Sequence, residues 1–263
     1  MSIYTMGIDV GSTASKCVIL KDGKEIVAKS LVAVGTGTSG PARAIAEVLQ
    51  SAGMTREQMD FVLATGYGRN SLDGLAEAQM SELSCHAKGA AFLFPEVRTV
   101  VDIGGQDVKV IEIDNGIMKN FVMNDKCAAG TGRFLDVMAR VLEVRVEDLG
   151  RLGDESTKEV GISSTCTVFA ESEVISQLAA GTDKRDIING IHKSVAGRVS
   201  GLCNRVGVRD MVVMTGGVAQ NHGIVKALQN QLDHEIHTSP LTQYNGALGA
   251  ALFAYNKALK KQQ

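Results

Sequence analysis

The sequence has no apolar run long enough to cross a bilayer, and neither sign of charge dominates it. Its formal net charge is −2, so no basic face for nucleic acid is predicted. The first residues lead directly into a strand pattern, without the basic segment and cleavage site of a signal peptide. We therefore expect a cytoplasmic α/β protein without membrane or nucleic-acid partners, in which Val- and Ile-rich strands alternate with helices.

Two further patterns are missing, and each excludes a class of protein. The phosphate-loop pattern G-x-x-x-x-G-K-[ST] does not occur, and neither does the C-x₂-C-x₂-C run of ferredoxins. The five cysteines are odd in number and scattered, so a disulfide framework is not expected. Cys17, Cys85 and Cys203 lie among apolar or small neighbours, and we expect them to be buried thiols.

What the chain does contain is a repeated strand–turn–strand pattern. Asp-Val-Gly-Ser-Thr-Ala-Ser-Lys at 9–16 and Asp-Ile-Gly-Gly-Gln-Asp-Val-Lys at 102–109 each lie between apolar runs, and a turn and a third strand-like stretch follow both. Glycines let successive N–H groups face an anion, and hydroxyls and the lysines Lys16 and Lys109 add donors. One such turn is typical of an ordinary hairpin, but two favour a grip on a polyphosphate from both sides.

A third glycine pair follows the apolar run 211–214, within Thr215-Gly216-Gly217-Val218-Ala219-Gln220-Asn221. Alone, this glycine pair is equally typical of a plain strand-to-helix turn. Together with the two turns predicted to bind phosphate, it predicts a backbone segment against which an adenosine lies. In this order the segments resemble the phosphate-one, phosphate-two and adenosine motifs of the actin, sugar-kinase and chaperone ATPase superfamily. The resemblance implies two actin-like (ribonuclease H-like) α/β lobes with ATP in the cleft between them. We place the first lobe at 1–95, with the C-terminal helix 245–263 packing back on it, and the second at 96–244.

The motifs also predict individual roles. Asp9 and Asp102 should anchor the water shell of Mg²⁺, which keeps most of its waters in proteins. Gln106 should orient the attacking water, as a neutral amide does in other NTPases, or else it is a surface-facing turn residue. The residues expected to bind ATP or ADP are, for the phosphates, Ser12, Thr13, Ala14, Ser15, Lys16, Gly104 and Gly105, and for the nucleoside, Gly216, Gly217, Ala219, Gln220 and Gln243.

The remaining cysteines, Cys127 and Cys166, lie in a different setting. Each is followed by a helical pattern, at 134–142 and 168–178, and we expect both near a helix N-terminus, where a thiolate is stabilised. Two more buried thiols are the alternative. A [4Fe–4S] cluster takes four cysteine ligands, so one chain would supply two and a twofold-related copy the other two.

The segments 124–134 and 164–173, which contain these cysteines, closely resemble the activator components of 2-hydroxyacyl-CoA dehydratases. Related subunits of ATP-dependent benzoyl-CoA reductases share the pattern. The resemblance implies a homodimer with one [4Fe–4S] cluster held by Cys127 and Cys166 of each protomer. It further implies ATP-driven one-electron transfer from a ferredoxin or flavodoxin to a dehydratase in an anaerobic, amino-acid-fermenting host. We expect (R)-2-hydroxyglutaryl-CoA as the substrate of that partner.

Two other functions fit the same ATPase motifs. A small-molecule kinase would need a catalytic carboxylate beside an acceptor alcohol, and a nucleotide-switched scaffold would need only a protein client. Neither would require Cys127 or Cys166, and both would be colourless.

Overall fold

The computed structural model describes residues 2–72, 74–163 and 166–261 of the chain. The ten strands found in these residues are β1 Tyr4–Val10, β2 Ser15–Lys21, β3 Glu25–Val32, β4 Phe61–Thr65, β5 Ala78–Gln79, β6 Thr99–Ile103, β7 Val108–Asp114, β8 Ile117–Asn124, β9 Val212–Thr215 and β10 Ile236–His237. The eight α-helices found there are α1 Gly40–Ala52, α2 Glu82–Leu93, α3 Gly132–Val141, α4 Leu149–Asp154, α5 Thr167–Ala179, α6 Lys184–Val206, α7 His222–Leu232 and α8 Asn245–Lys261.

Two five-stranded sheets share one topology. The first has the order β3-β2-β1-β4-β5 and the second the order β10-β9-β6-β7-β8. In each, the strand that leads into a glycine-rich turn pairs antiparallel with the next strand and parallel with a later one, β4 or β9. The repeat in the sequence is therefore a repeat of the sheet, and the mixed α/β class is confirmed.

Tight turns fix the register after the second strand of each copy. Residues 22–24 join β2 to β3, and Asn115 and Gly116 join β7 to β8. Asp22, Gly23, Asn115 and Gly116 all have positive φ, between 50° and 72°. Two successive left-handed residues are the geometry of the type I′ hairpin, whose twist matches that of the strands.

The chain divides into two compact units. Unit 1 comprises residues 1–97, 113–118 and 239–263, and unit 2 comprises residues 98–112 and 119–238. In unit 1, α8 lies directly on β1, where the Thr5 hydroxyl donates to the Ala251 carbonyl at 3.1 Å. In unit 2, one apolar core joins β6, β7 and β9 to helices α3 and α6.

The two copies differ in what connects the third strand to the fourth. Residues 33–60 join β3 to β4 and contain one α-helix, whereas residues 125–211 join β8 to β9 and contain α3, α4, α5 and α6. Cys127 and Cys166 both lie in the longer connection. None of the helices that the structure describes is long and apolar enough to span a membrane.

Candidate functional site

The first glycine-rich turn lies between β1 and β2 and carries Asp9 on its leading strand. Residues 11–14 form the turn, which closes through the Gly11 amide donating to the Ala14 carbonyl at 3.0 Å. Asp9 is 4% exposed, and Lys16, its partner across the ladder, brings Nζ within 3.4 Å of Asp9 Oδ2. The second oxygen, Oδ1, is buried, and no group in the described part of the chain hydrogen-bonds to it.

This arrangement fits a cation-bound water. A buried carboxylate oxygen without a donor is costly, and in native proteins it usually marks an ion or water site. Asp9 can therefore contribute to the shell of Mg²⁺, which binds through few carboxylates and retains waters. Gly66 follows β4 with φ +91°, and a Cβ there would lie 2.5 Å from Asp9 Oδ1. Only glycine leaves that oxygen its space.

The residues of the first turn differ in exposure. Thr13 is exposed, Ser12 and Ala14 are half-buried, and Ser15 is buried at the start of β2. The Ser15 hydroxyl donates to the Val34 carbonyl at 3.0 Å, so it is engaged with the backbone. Its direct contact with a phosphate remains a prediction.

A segment that the sequence reasoning missed supports the first turn. The Thr36 amide donates to the Gly11 carbonyl at 3.0 Å. Residues 35–40 read Gly-Thr-Gly-Thr-Ser-Gly and lie between β3 and α1, so they match the G-x-G-x-x-G pattern. The preceding strand is antiparallel rather than part of a βαβ unit, so the match marks a supporting loop and not a dinucleotide fingerprint.

The second turn holds its carboxylate in a network of charges. Asp102 is 2% exposed, and its Oδ1 accepts a hydrogen bond from the Thr215 hydroxyl at 2.7 Å. Lys109 Nζ lies 2.7 Å from Asp107 Oδ2 and 3.6 Å from Asp102 Oδ2. At 1% exposure, Lys109 is buried between two carboxylates. The charge of Lys109 is therefore engaged by carboxylates of unit 2, and its contact with a phosphate stays a prediction.

The turn itself, residues 104–107, is joined directly to helix α3. The amides of Gly132 and Arg133 donate to the carbonyls of Gly104 and Gly105 at 2.9 and 2.8 Å. The first amides of a helix have no partner within it, and here the carbonyls of the second glycine-rich turn supply partners. Gln106 is exposed, which leaves both of its predicted roles open.

The segment predicted to bind adenosine begins at the end of β9, beside β6. Thr215 contacts Asp102 as described, and Gly216 has φ +86° with its hypothetical Cβ 2.2 Å from the Ile103 carbonyl. The second turn and the adenosine segment are thus brought together. Gly217 and Gln220 are exposed and Ala219 is buried in a short 3₁₀ turn before α7, while Gln243 lies in unit 1, just before α8.

The two cysteines predicted to bind metal are both exposed, and they occupy different positions. Cys166 is the N-cap residue of α5, as predicted. Cys127 lies in the loop just before Thr131, the N-cap residue of α3, so it is near the start of that helix, as predicted, without capping it. That loop is ordered by the Asn124 amide, which donates to the Cys127 carbonyl at 3.0 Å, and by the Thr131 hydroxyl, which donates to the Ala128 carbonyl at 2.6 Å.

The other three cysteines are buried, as predicted. Burial raises the pKa of both the Cys85 and Cys203 thiols to about 12 and raises that of Cys17 further. These thiols therefore stay protonated and are poor metal ligands. Within residues 2–72, 74–163 and 166–261, no group of three or more His, Cys, Asp or Glu side chains is placed to hold a metal ion.

Known proteins match this chain along nearly its whole length. Residues 6–254 fit the model of the BadF/BadG/BcrA/BcrD ATPase family. The (R)-2-hydroxyglutaryl-CoA dehydratase activating ATPase of Acidaminococcus fermentans is 75% identical over 260 residues, covering 99% of this chain and 100% of the relative. The crystal structure of the activator of the 2-hydroxyisocaproyl-CoA dehydratase from Clostridium difficile with bound ADPNP is 55% identical and superposes with a TM-score of 0.96 over 99% of this chain and 97% of that one.

A more distant match bears on the fold alone. A ROK family glucokinase from Streptomyces griseus superposes with a TM-score of 0.61 at 15% identity, over 96% of this chain and 99% of that one. The predicted actin-like fold class is confirmed, and the predicted dehydratase-activating ATPase agrees with the names of the close relatives. The chain belongs to the BadF/BadG/BcrA/BcrD ATPase family and is an ATPase with an actin-like α/β fold.

Proposed function

We propose that this protein is the ATP-dependent activator of a 2-hydroxyacyl-CoA dehydratase and delivers single electrons to that partner. The observation that carries the proposal is the division of its thiols: Cys127 and Cys166 are exposed and lie in the long connection of unit 2, while the other three are buried. Relatives named as dehydratase activators support the choice of partner. Among these, the 75% identical one favours (R)-2-hydroxyglutaryl-CoA as the partner's substrate.

The two exposed thiols fit a [4Fe–4S] cluster shared by a homodimer. Each protomer would contribute Cys127 and Cys166, which completes four cysteine ligands on the twofold axis. When bound, such a cluster takes up and releases one electron at a low potential. The chain's own part is to present two thiols from ordered positions, one on a hydrogen-bonded loop and one at a helix N-cap.

A direct hydrogen-bonded link supports coupling between nucleotide and thiol. Gly104 and Gly105 belong to the turn proposed to contact phosphate, and their carbonyls bind the first amides of α3. Any displacement of this turn on nucleotide binding or hydrolysis therefore shifts the start of α3 and the loop that carries Cys127. A nucleotide biases such a movement only through different affinities for the two arrangements.

The nucleotide itself is proposed to bind as the motifs indicate, with Mg²⁺. Asp9, whose Oδ1 has no donor among the described residues, and Asp102 would hold waters of the metal ion. Gln106 would orient the attacking water. The remaining contacts are proposed for Ser12, Thr13, Ala14, Ser15, Lys16, Gly104, Gly105, Gly216, Gly217, Ala219, Gln220 and Gln243. A reduced ferredoxin or flavodoxin would load the electron, in the cytoplasm of an anaerobic host.

Anaerobic purification tests this function directly. We expect a brown homodimer with iron and sulfide near four each per dimer. Cys127→Ser and Cys166→Ser should each lose the iron and the electron delivery while still binding ATP, and Cys203→Ala, which removes a buried thiol of the same unit, should retain both. A colourless dimer would contradict the proposal, and so would electron delivery that survives either serine substitution. Either result would favour a small-molecule kinase or a nucleotide-switched scaffold.

A further inference from the structure

Arg198 occupies a restrained position beside the loop that carries Cys127. It lies on α6, half-buried, with its Cζ 5.0 Å from the centroid of the Phe134 ring. Phe134 is fully buried in the first turn of α3, so the ring cannot move away from the guanidinium. A guanidinium over an aromatic face is held by cation–π attraction, which restricts where its charge can lie.

A cavity connects this guanidinium with the Cys127 loop. The cavity has a volume of about 530 Å³, and Cys127 and Arg198 are both in its wall. The other charged residues in the wall are Asp125, Lys126 and Arg205. Of the positive groups on the helix side, Arg198 is half-buried and Arg205 is exposed. Charge at Arg198 is therefore screened less by water than charge at Arg205.

The electrostatic environment of Arg198 involves both cysteines. Burial lowers the pKa of Arg198, and negative charge at Cys127 and at Cys166 acts in the opposite direction. An arginine stays charged under such a shift, because its ordinary pKa is above 12. The side chain is thus a permanent positive charge in the wall of the cavity that Cys127 also lines.

We propose that Arg198 is the charge-compensating residue of the iron–sulfur site and raises the potential at which that site accepts an electron. This inference rests on the proposed function. A [4Fe–4S]²⁺ core with four thiolates carries a net charge of −2, and one electron from a reduced ferredoxin or flavodoxin brings it to −3 with no bond made or broken. One Arg198 from each protomer offsets this added charge, which makes loading by the donor more favourable.

Three variants test the proposal by redox titration of the purified dimer, followed by the electron paramagnetic resonance signal of the reduced cluster. Arg198→Gln should retain its iron and shift the reduction equilibrium at least tenfold toward the oxidised form, equal to about 59 mV for one electron. Arg198→Lys keeps the charge and should shift the equilibrium less than threefold. Arg205→Gln is the matched control, because Arg205 lies in the wall of the same cavity and on the same helix but is exposed. It should shift the reduction equilibrium less than threefold.

Each other outcome has a defined meaning. An Arg198→Gln dimer with full iron and an unchanged potential overturns the proposal, and so does an Arg205→Gln shift as large as that of Arg198→Gln. If Arg198→Gln loses its iron, a lysine variant with iron and a wild-type potential supports charge compensation, and a lysine variant shifted or emptied as well refutes it. A wild-type dimer without iron removes the proposed function itself, together with this inference.

Discussion

Replacing Lys109 by methionine tests whether the second turn depends on its internal charge balance. Lys109 is 1% exposed and lies 2.7 Å from Asp107 Oδ2 and 3.6 Å from Asp102 Oδ2. With an effective dielectric constant of about 20, these attractions amount to about 6 and about 5 kcal/mol before the cost of desolvation is subtracted. Methionine has a similar length, so the substitution removes the charge without opening a large cavity.

The expected loss of unfolding free energy is about 3–5 kcal/mol, the usual cost of leaving a buried charge without its partner. Most of it should come from Asp102, which is 2% exposed and would lose the cation 3.6 Å from its Oδ2. Asp107, whose side chain is 26% exposed, can turn to water instead. Adding Asp102→Asn to the methionine variant should therefore recover at least about 2 kcal/mol.

Equilibrium unfolding in urea, followed by circular dichroism, measures these differences. Lys226→Met is the matched control, because Lys226 is an exposed lysine of the same unit that lies 3.4 Å from Asp154. An exposed pair contributes little, so this variant should stay within about 0.5 kcal/mol of the wild type. A Lys109→Met protein as stable as this control would refute the reasoning, and so would a double variant no more stable than the single one.

Three further outcomes are expected. Gly216→Ala should weaken binding of a fluorescent ATP analogue and cost about 1–3 kcal/mol in urea unfolding, because its φ is +86° and its Cβ would lie 2.2 Å from a backbone carbonyl; unchanged binding and stability would contradict this. Burial lowers the pKa of His192 to about 4, so the unfolded state binds more protons between pH 6.5 and pH 4. Stability should fall by on the order of 3 kcal/mol as pH drops through that window, and unfolding at stepped pH should show a shallower slope for His192→Gln. In cluster-free protein, a thiol reagent should label Cys127 and Cys166 rapidly and the other three cysteines only after denaturation; fast labelling of a third thiol would contradict the burial described here.

Local chemistry made much of the fold predictable. The two glycine-rich turns, the left-handed turn residues that follow them and the Val- and Ile-rich strands act over a few residues, so the repeated hairpins could be predicted from the sequence. Helix α1 begins at Gly40 and has Pro41 in its first turn, where proline is favoured because the missing N–H would have no partner there. These features are determined by residues close together in the sequence, so a local sequence pattern is enough to predict them.

Contacts between distant segments could not be predicted from the sequence. Lys109 matches Lys16 in the repeat, yet only the packed sheet shows that it is buried against Asp107. Helix α3 begins at Gly132, two residues earlier than the pattern indicated, and its first amides are bonded to Gly104 and Gly105, which the local sequence does not show. Arg198 carries no local signal. Its only trace is the seven-residue spacing to Arg205, which places both on one face of a helix.

The unequal connections between the third and fourth strands have a consequence for how such a protein can arise. Residues 33–60 and 125–211 occupy corresponding places in two sheets of one topology, and only the longer segment carries the exposed cysteines and Arg198. A gene duplication followed by enlargement of a single connection leaves this pattern. The residues of the proposed redox site thus belong to one contiguous segment and are not scattered across both halves.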